Sequence, residues 1–163
     1  MTRLDEFIVR MQAQRACIDA AAALTAGQPG PVLELGLGNG RTYDHLRQRF
    51  TQRAIFVFDR EVAAHPDCIP DPDFMRLGDF RSSLPAYLAE GHPPSVFIHA
   101  DIGSANRRKS EELAADLAPI WRDILVPGGF LACDQRVALD GLLPLPLPSG
   151  MVADNYHFYR RAG

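Results

Sequence analysis

Apolar positions recur along this chain in two rhythms, and the change of rhythm marks the expected elements. Residues 2–26 carry Leu4, Phe7, Ile8, Met11 and Ile18 at helical spacing, which predicts a long amphipathic helix. Thr2 followed by Asp5 has the form of a capping box, and Gly27 is a suitable stop. From residue 31 the pattern shifts to short continuous apolar runs: PVLEL (31–35), AIFVF (54–58), SVFIHA (95–100) and GFLACD (129–134). Each has the length of a strand buried on both faces. DFMRL (73–77) reads as a shorter strand. Helix-compatible segments lie between them at 41–50 and 107–125, the latter with Leu113, Leu117, Ile120, Trp121 and Ile124 on one side. Residues 81–91 suggest a helical turn or two.

Strands alternating with helices predict an α/β fold: one doubly wound, mostly parallel, Rossmann-like sheet with helices on both faces. The tail decides whether it has six or seven strands. GLLPLPLPSG (141–150) carries proline at every second position from Pro144, which bars a central strand but permits an edge strand or an extended linker. NYHFYRRAG (155–163) alternates as a last strand. Residues 141–163 are therefore expected to form a reduced hairpin, and residues 1–163 a single domain.

Composition narrows the field. At 163 residues, 47% apolar and 23% charged, the chain can bury one core of ordinary kind. A net charge of -3 gives no overall attraction to nucleic acid or anionic lipid. The basic run NRRKSEE (106–112) and the pair Arg160–Arg161 read as solvated surface. No run approaches the ~20 apolar residues of a membrane span, and the first residues lack a signal-peptide core. Cys17, Cys68 and Cys133 are scattered and odd in number, which suggests neither a disulfide framework nor a zinc site. Reduced thiols and a cytoplasmic location are expected.

Candidate chemistry concentrates where the first strand meets the next helix. VLELGLGNG places Gly36, Gly38 and Gly40 directly after Glu34 and Leu35. A nucleoside triphosphate loop needs G-x-x-x-x-G-K-[ST]; the present run is one residue short and has Arg41 in place of lysine. A dinucleotide fingerprint needs G-x-G-x-x-G, and here the third glycine comes one residue early. Asp59 nevertheless stands 19 positions after Gly40, at the end of the second strand, where a carboxylate can accept from both hydroxyls of a ribose. A nucleoside is expected, a pyrophosphate less so.

The blocks VLELGLGNG, IFVFDRE, RLGDF, VFIHADIGS and LVPGGFLACD, in that order, resemble the class I S-adenosylmethionine-dependent methyltransferases of small, single-domain bacterial type. The resemblance spans about residues 31–134. It implies S-adenosyl-L-methionine as methyl donor and the following roles. Gly36, Leu37, Gly38 and Gly40 form a backbone cradle, with Glu34 near the donor's ammonium group. Arg41 and Thr42 open a helix toward its anionic tail. Asp59 takes the ribose diol, flanked by Arg60. Gly78, Asp79 and Phe80 face the adenine, Asp79 accepting from its amino group. Asp101 and His99, at the end of the fourth strand, lie at the reacting end, with Asp101 the better candidate for a substrate contact.

Asp101 with Asp134 and Gln135 also resembles the magnesium set of cation-dependent O-methyltransferases, where asparagine stands in place of Gln135. Because of that longer side chain and a different glycine loop, no metal ligand is assigned. The acceptor is expected to be a small molecule or a protein rather than nucleic acid, with no membrane partner. The absence of a lid domain, together with the apolar face of helix 2–26, leads to the expectation of a homo-oligomer, a dimer. Two other readings stay open: a non-catalytic domain that binds S-adenosylmethionine or a nucleotide, and a nicotinamide-dependent oxidoreductase.

Overall fold

The computed structural model describes all residues, 1–163. Helix α1 (Arg3–Leu24) leads into strand β1 (Val32–Leu35), helix α2 (Arg41–Arg49), β2 (Ile55–Asp59), β3 (Met75–Leu77) and α3 (Phe80–Ala89). Then follow β4 (Ser95–Ala100), α4 (Arg107–Ile124), β5 (Leu125–Cys133), β6 (Leu142–Leu145) and β7 (His157–Arg161). The seven strands lie in the order β3-β2-β1-β4-β5-β7-β6. All neighbours through β5 are parallel, and β7 runs antiparallel to both β5 and β6. The order reverses between β1 and β4, so the crevice of the fold opens above the ends of those two strands.

Side chains alternate across the sheet and define two cores. Leu33, Leu35, Phe58 and Ile98 point toward α3 and α4, where Trp121 and Leu117 are buried. Val32, Val57, Phe97 and Phe130 point the other way, toward α1 and α2, with Cys17, Ile18 and Leu46. This is the doubly wound α/β arrangement expected from the alternation, with the sheet complete at seven strands.

The tail forms the expected edge hairpin. Pro144 sits opposite Tyr159 on outermost β6, where a missing N–H costs the sheet nothing. Two boundaries differ from the sequence reading. Residues 80–89 form a full helix despite Pro85, because Asp79 caps it and Leu84 and Tyr87 are buried. Strand β5 begins at Leu125, directly after α4, and bulges before Phe130, where Gly128 takes a positive φ.

Helix α1 departs most from expectation. Thr2 and Asp5 form the predicted capping box. Of the predicted apolar face, however, only Ile18 is fully buried; Leu4 is 66% and Phe7 50% exposed. The helix docks instead through Ala13, Cys17 and Ala21, one turn apart, whose small side chains let the helix lie close to the sheet. Its first three turns overhang the ends of the strands.

Candidate functional site

One cleft of about 870 Å³ opens at that overhang, and its walls come from six segments of the chain. The glycine loop, the end of β2 and the start of α3 form one side. Helix α1, residues 101–104 and the start of α4 form the other. A volume near the upper end of the range of about 300–1,000 Å³ for small-molecule sites accommodates two small ligands.

The glycine loop is shaped by close approach. Gly36 has φ +92°, and a Cβ there would lie 2.2 Å from the backbone oxygen of Asp101. The end of β1 therefore touches the end of β4 only because residue 36 has no side chain. Gly38 is the opposite case: its φ is +49°, and a Cβ would meet nothing within 4 Å, so that face of the loop opens on the cleft.

Asp59 pins this loop. Its Oδ2 accepts from the N–H of Leu37 at 2.8 Å and of Gly38 at 3.1 Å. Its Oδ1 accepts from the N–H of Arg60 at 2.6 Å. Two of the loop donors that would cradle a phosphate in a dinucleotide fold are thus taken by a carboxylate of the protein itself. Helix α2 begins at Arg41 as expected, after Gly40.

Beneath the loop lies a buried polar relay. Glu34 and His99 are both fully buried on neighbouring strands, in register with each other. His99 Nδ1 lies 2.5 Å from Glu34 Oε2. Thr42, on the cleft wall, donates its hydroxyl to the other Glu34 oxygen. Burial alone would push the imidazole pKa down, but the Glu34 carboxylate, backed by Asp101 and Asp134, outweighs it and holds His99 above its ordinary value. The other His99 nitrogen and the hydroxyl of Tyr156 are buried without partners, their rings 6.4 Å apart.

On the far side, Asp101 is 30% exposed and lines the cleft. It pairs with Arg10 of α1 through one oxygen and accepts from Gln14 at 3.1 Å through the other. Asp134 faces inward: its oxygens accept from Ile102 N–H at 3.1 Å and Gly103 N–H at 2.8 Å, and from the Gln135 amide at 3.0 Å. Burial, then the nearby Asp101, raise its pKa. Arg10 stands 3.9 Å from Asp134.

Of the residues singled out in the sequence, Gly36, Leu37, Gly38, Arg41, Thr42, Asp59, Arg60, Phe80 and Asp101 line the cleft. Five do not. Glu34 and His99 lie one layer below it, so His99 meets Glu34 rather than an acceptor. Gly40 turns away and packs on Cys68. Gly78 is outside the wall, and the Asp79 carboxylate caps α3, accepting from Arg81 N–H at 2.9 Å, with Arg60 at 3.4 Å. The Asp101, Asp134 and Gln135 set does not form an oxygen cage for magnesium: the cation beside Asp101 is a guanidinium, and both Asp134 oxygens hold N–H donors.

The sequence reading missed Arg10, Gln14 and Lys109. A signal was available for the first two: polar residues four apart, interleaved with Phe7 and Met11 on one face of a helix.

Comparison with known proteins gives the family. The family model for S-adenosyl-L-methionine methyltransferases matches residues 1–161, and the chain belongs to that family. The crystal structure of an S-adenosyl-L-methionine methyl transferase from Silicibacter pomeroyi DSS-3 is 47% identical, with a TM-score of 0.93 over 99% of both chains. TrmN from Thermus thermophilus shares the fold at 16% identity and a TM-score of 0.63, over 88% of this chain and 48% of its own. An O-methyltransferase family protein from Burkholderia thailandensis does so at 12% and 0.55, over 90% and 55%. No curated protein matches by sequence. The protein is an S-adenosylmethionine-dependent methyltransferase, and S-adenosyl-L-methionine is its methyl donor.

Proposed function

We propose that the protein methylates a small molecule, with the donor on the glycine-loop side of the cleft and the acceptor between α1 and α4. The observation that carries the division is the Asp59 contact to Leu37 and Gly38. A loop whose amides are already satisfied suits a nucleoside without phosphates. It does not suit NAD or a nucleoside triphosphate.

The residues fit such a donor. Gly38 leaves the space a side chain would fill. After its three backbone bonds Asp59 has about one acceptor site left, on Oδ1, for a hydroxyl of the ribose diol. Thr42, whose hydroxyl donates a hydrogen bond to Glu34, presents acceptor lone pairs to an ammonium group. His99 balances the buried charge of Glu34 and so fixes Thr42; Glu34 and His99 are positioning residues. Arg41 faces the anionic tail. Phe80 and Arg81 flank the adenine, with Asp79 fixing their helix. When bound, the donor supplies a methyl group on a sulfonium centre, and an electron pair of the acceptor displaces a neutral thioether. The chain's own contribution is orientation in a site roofed by α1. Asp101, held by Arg10 and Gln14, contacts the acceptor.

A single domain covers the whole chain in this reading. A cytoplasmic location is supported by three free cysteines, the Cys17 thiol being pushed up to about 12 by burial and so kept inert. No helix is long and apolar enough to cross a membrane. A dimer is supported by Leu4 and Ile8 of α1, with Met1 just before it, all exposed; the same helix closes the cleft within its own chain, so a partner is not needed as a lid. Hydrogen exchange with and without S-adenosylhomocysteine tests the division. Protection should concentrate at residues 36–42, 59–60 and 80–81; protection confined to 136–159 would place the donor elsewhere.

A further inference from the structure

Helix α4 opens with three cations, Arg107, Arg108 and Lys109, and no acidic residue in its first turn. Cations are disfavoured there, because the free N–H groups already make a helix start positive. Arg107 and Arg108 are compensated one turn on, by Glu111 at 2.7 Å and Glu112 at 2.8 Å. Lys109 has Leu113 at that position, and its ammonium makes no ion pair or side-chain hydrogen bond. It is also the one of the three that lines the cleft.

The other charges on that side cancel. Arg10 meets Asp101, and Glu112 meets Arg108. Toward the donor side, Arg60 and Arg81 meet Asp79 and Asp116. Among the charges that line this side, Lys109 alone has no ion-pair partner; Asp134 lies behind the wall, its oxygens taken by the N–H groups of Ile102 and Gly103 and by the Gln135 amide. The same side of the cleft carries three apolar side chains, Phe7 and Met11 from α1 and Leu113 from α4, among the polar Gln14, Ser104 and Ser110.

We propose that the methyl acceptor is a small amphipathic anion, its charged group held by Lys109 and its apolar body lying against Phe7, Met11 and Leu113. The inference rests on the reading of the cleft given above. An ammonium is a point charge and accepts a carboxylate or a phosphate ester alike. A small acceptor follows from the roof that Phe7 and Met11 of α1 form over this side.

The test uses the full chain saturated with S-adenosylhomocysteine, that binding being measured first by calorimetry. Matched probes are then titrated by saturation-transfer NMR: aryl and alkyl carboxylates, their phosphate-ester counterparts and their neutral primary amides. The anions should bind about tenfold or more tightly than the amides, as expected for a hydrogen bond to a charged group. Lys109→Ala should erase the preference, Lys109→Arg should keep it, and S-adenosylhomocysteine affinity should stay within about twofold in both. The carboxylate and phosphate arms distinguish which anion is preferred. Equal binding of anions and amides, no binding of any probe, or a preference that survives Lys109→Ala overturns the proposal while leaving the donor site standing. Failure of S-adenosylhomocysteine to bind overturns the underlying reading and the proposal with it.

Discussion

The two sides of the cleft are built on different principles. The side proposed for the donor consists of strand ends and backbone: Gly36 wedged against Asp101, and the loop tied to Asp59 by two N–H groups. Below it, Glu34 and His99 are sealed in the sheet. The side proposed for the acceptor consists of side chains on two helices, α1 and α4, and its apolar residue Phe7 is half exposed. Strand ends are fixed by the sheet's register, whereas a helix overhang is fixed only by its docked half. The rigid side suits a ligand common to a whole family, and the adaptable side suits one that varies.

The comparison can be broken at the rigid side first. His99→Ala leaves the Glu34 carboxylate buried without its counter-charge and should cost about 3–5 kcal/mol in urea unfolding. A fold unaffected by the change would mean that Glu34 is balanced by other means. The same pair predicts a pH dependence. The His99 pKa is raised in the folded state above its ordinary 6.5. Its contribution is therefore fully present below about 6.5 and lost as pH rises through the folded-state value. His99→Gln should flatten that slope.

Next comes a contrast within the loop. Gly36→Ala, with a backbone clash and a positive φ, should cost about 2–4 kcal/mol. Gly38→Ala should cost about 1–2 kcal/mol of stability, since only the φ opposes it, yet impair donor binding because the new Cβ enters the cleft. Equal effects of the two on folding and on binding would erase the distinction between wedge and cradle.

Asp59→Ala should weaken S-adenosylhomocysteine binding by about 1–3 kcal/mol, through lost acceptors and a loosened loop. Asp59→Asn separates the two, because the amide keeps one acceptor oxygen. The smallest effect belongs to the surface: Arg107→Ala removes an exposed pair with Glu111 and should leave the urea unfolding midpoint unchanged within error.

The asymmetry also explains what could be read in advance. The donor side is legible because each element announces itself locally: an apolar run, then Gly36 and Gly38, then Asp59 ending the next run. The fold followed from the same alternation, down to a proline-bearing edge strand. The acceptor side depends on where α1 lies. Its apolar face, Leu4, Phe7 and Ile8, predicts burial, but the helix docks by Ala13, Cys17 and Ala21, which carry little hydrophobic signal. Arg10 reaches Asp101 across 91 positions of sequence, a contact that no local pattern announces. His99 is expected at the reacting end because it closes the fourth strand beside Asp101; it lies instead within the strand, fully buried and in register with Glu34, one layer below the cleft.

The central claim is that a loop already satisfied by Asp59 accepts a nucleoside without phosphates. Parallel calorimetric titration of the purified protein with S-adenosylmethionine, S-adenosylhomocysteine and NAD tests it most directly. Micromolar binding of the first two and none of NAD is the expected result. Binding of NAD at comparable strength would show that the loop amides are free to take a pyrophosphate, and would contradict the account.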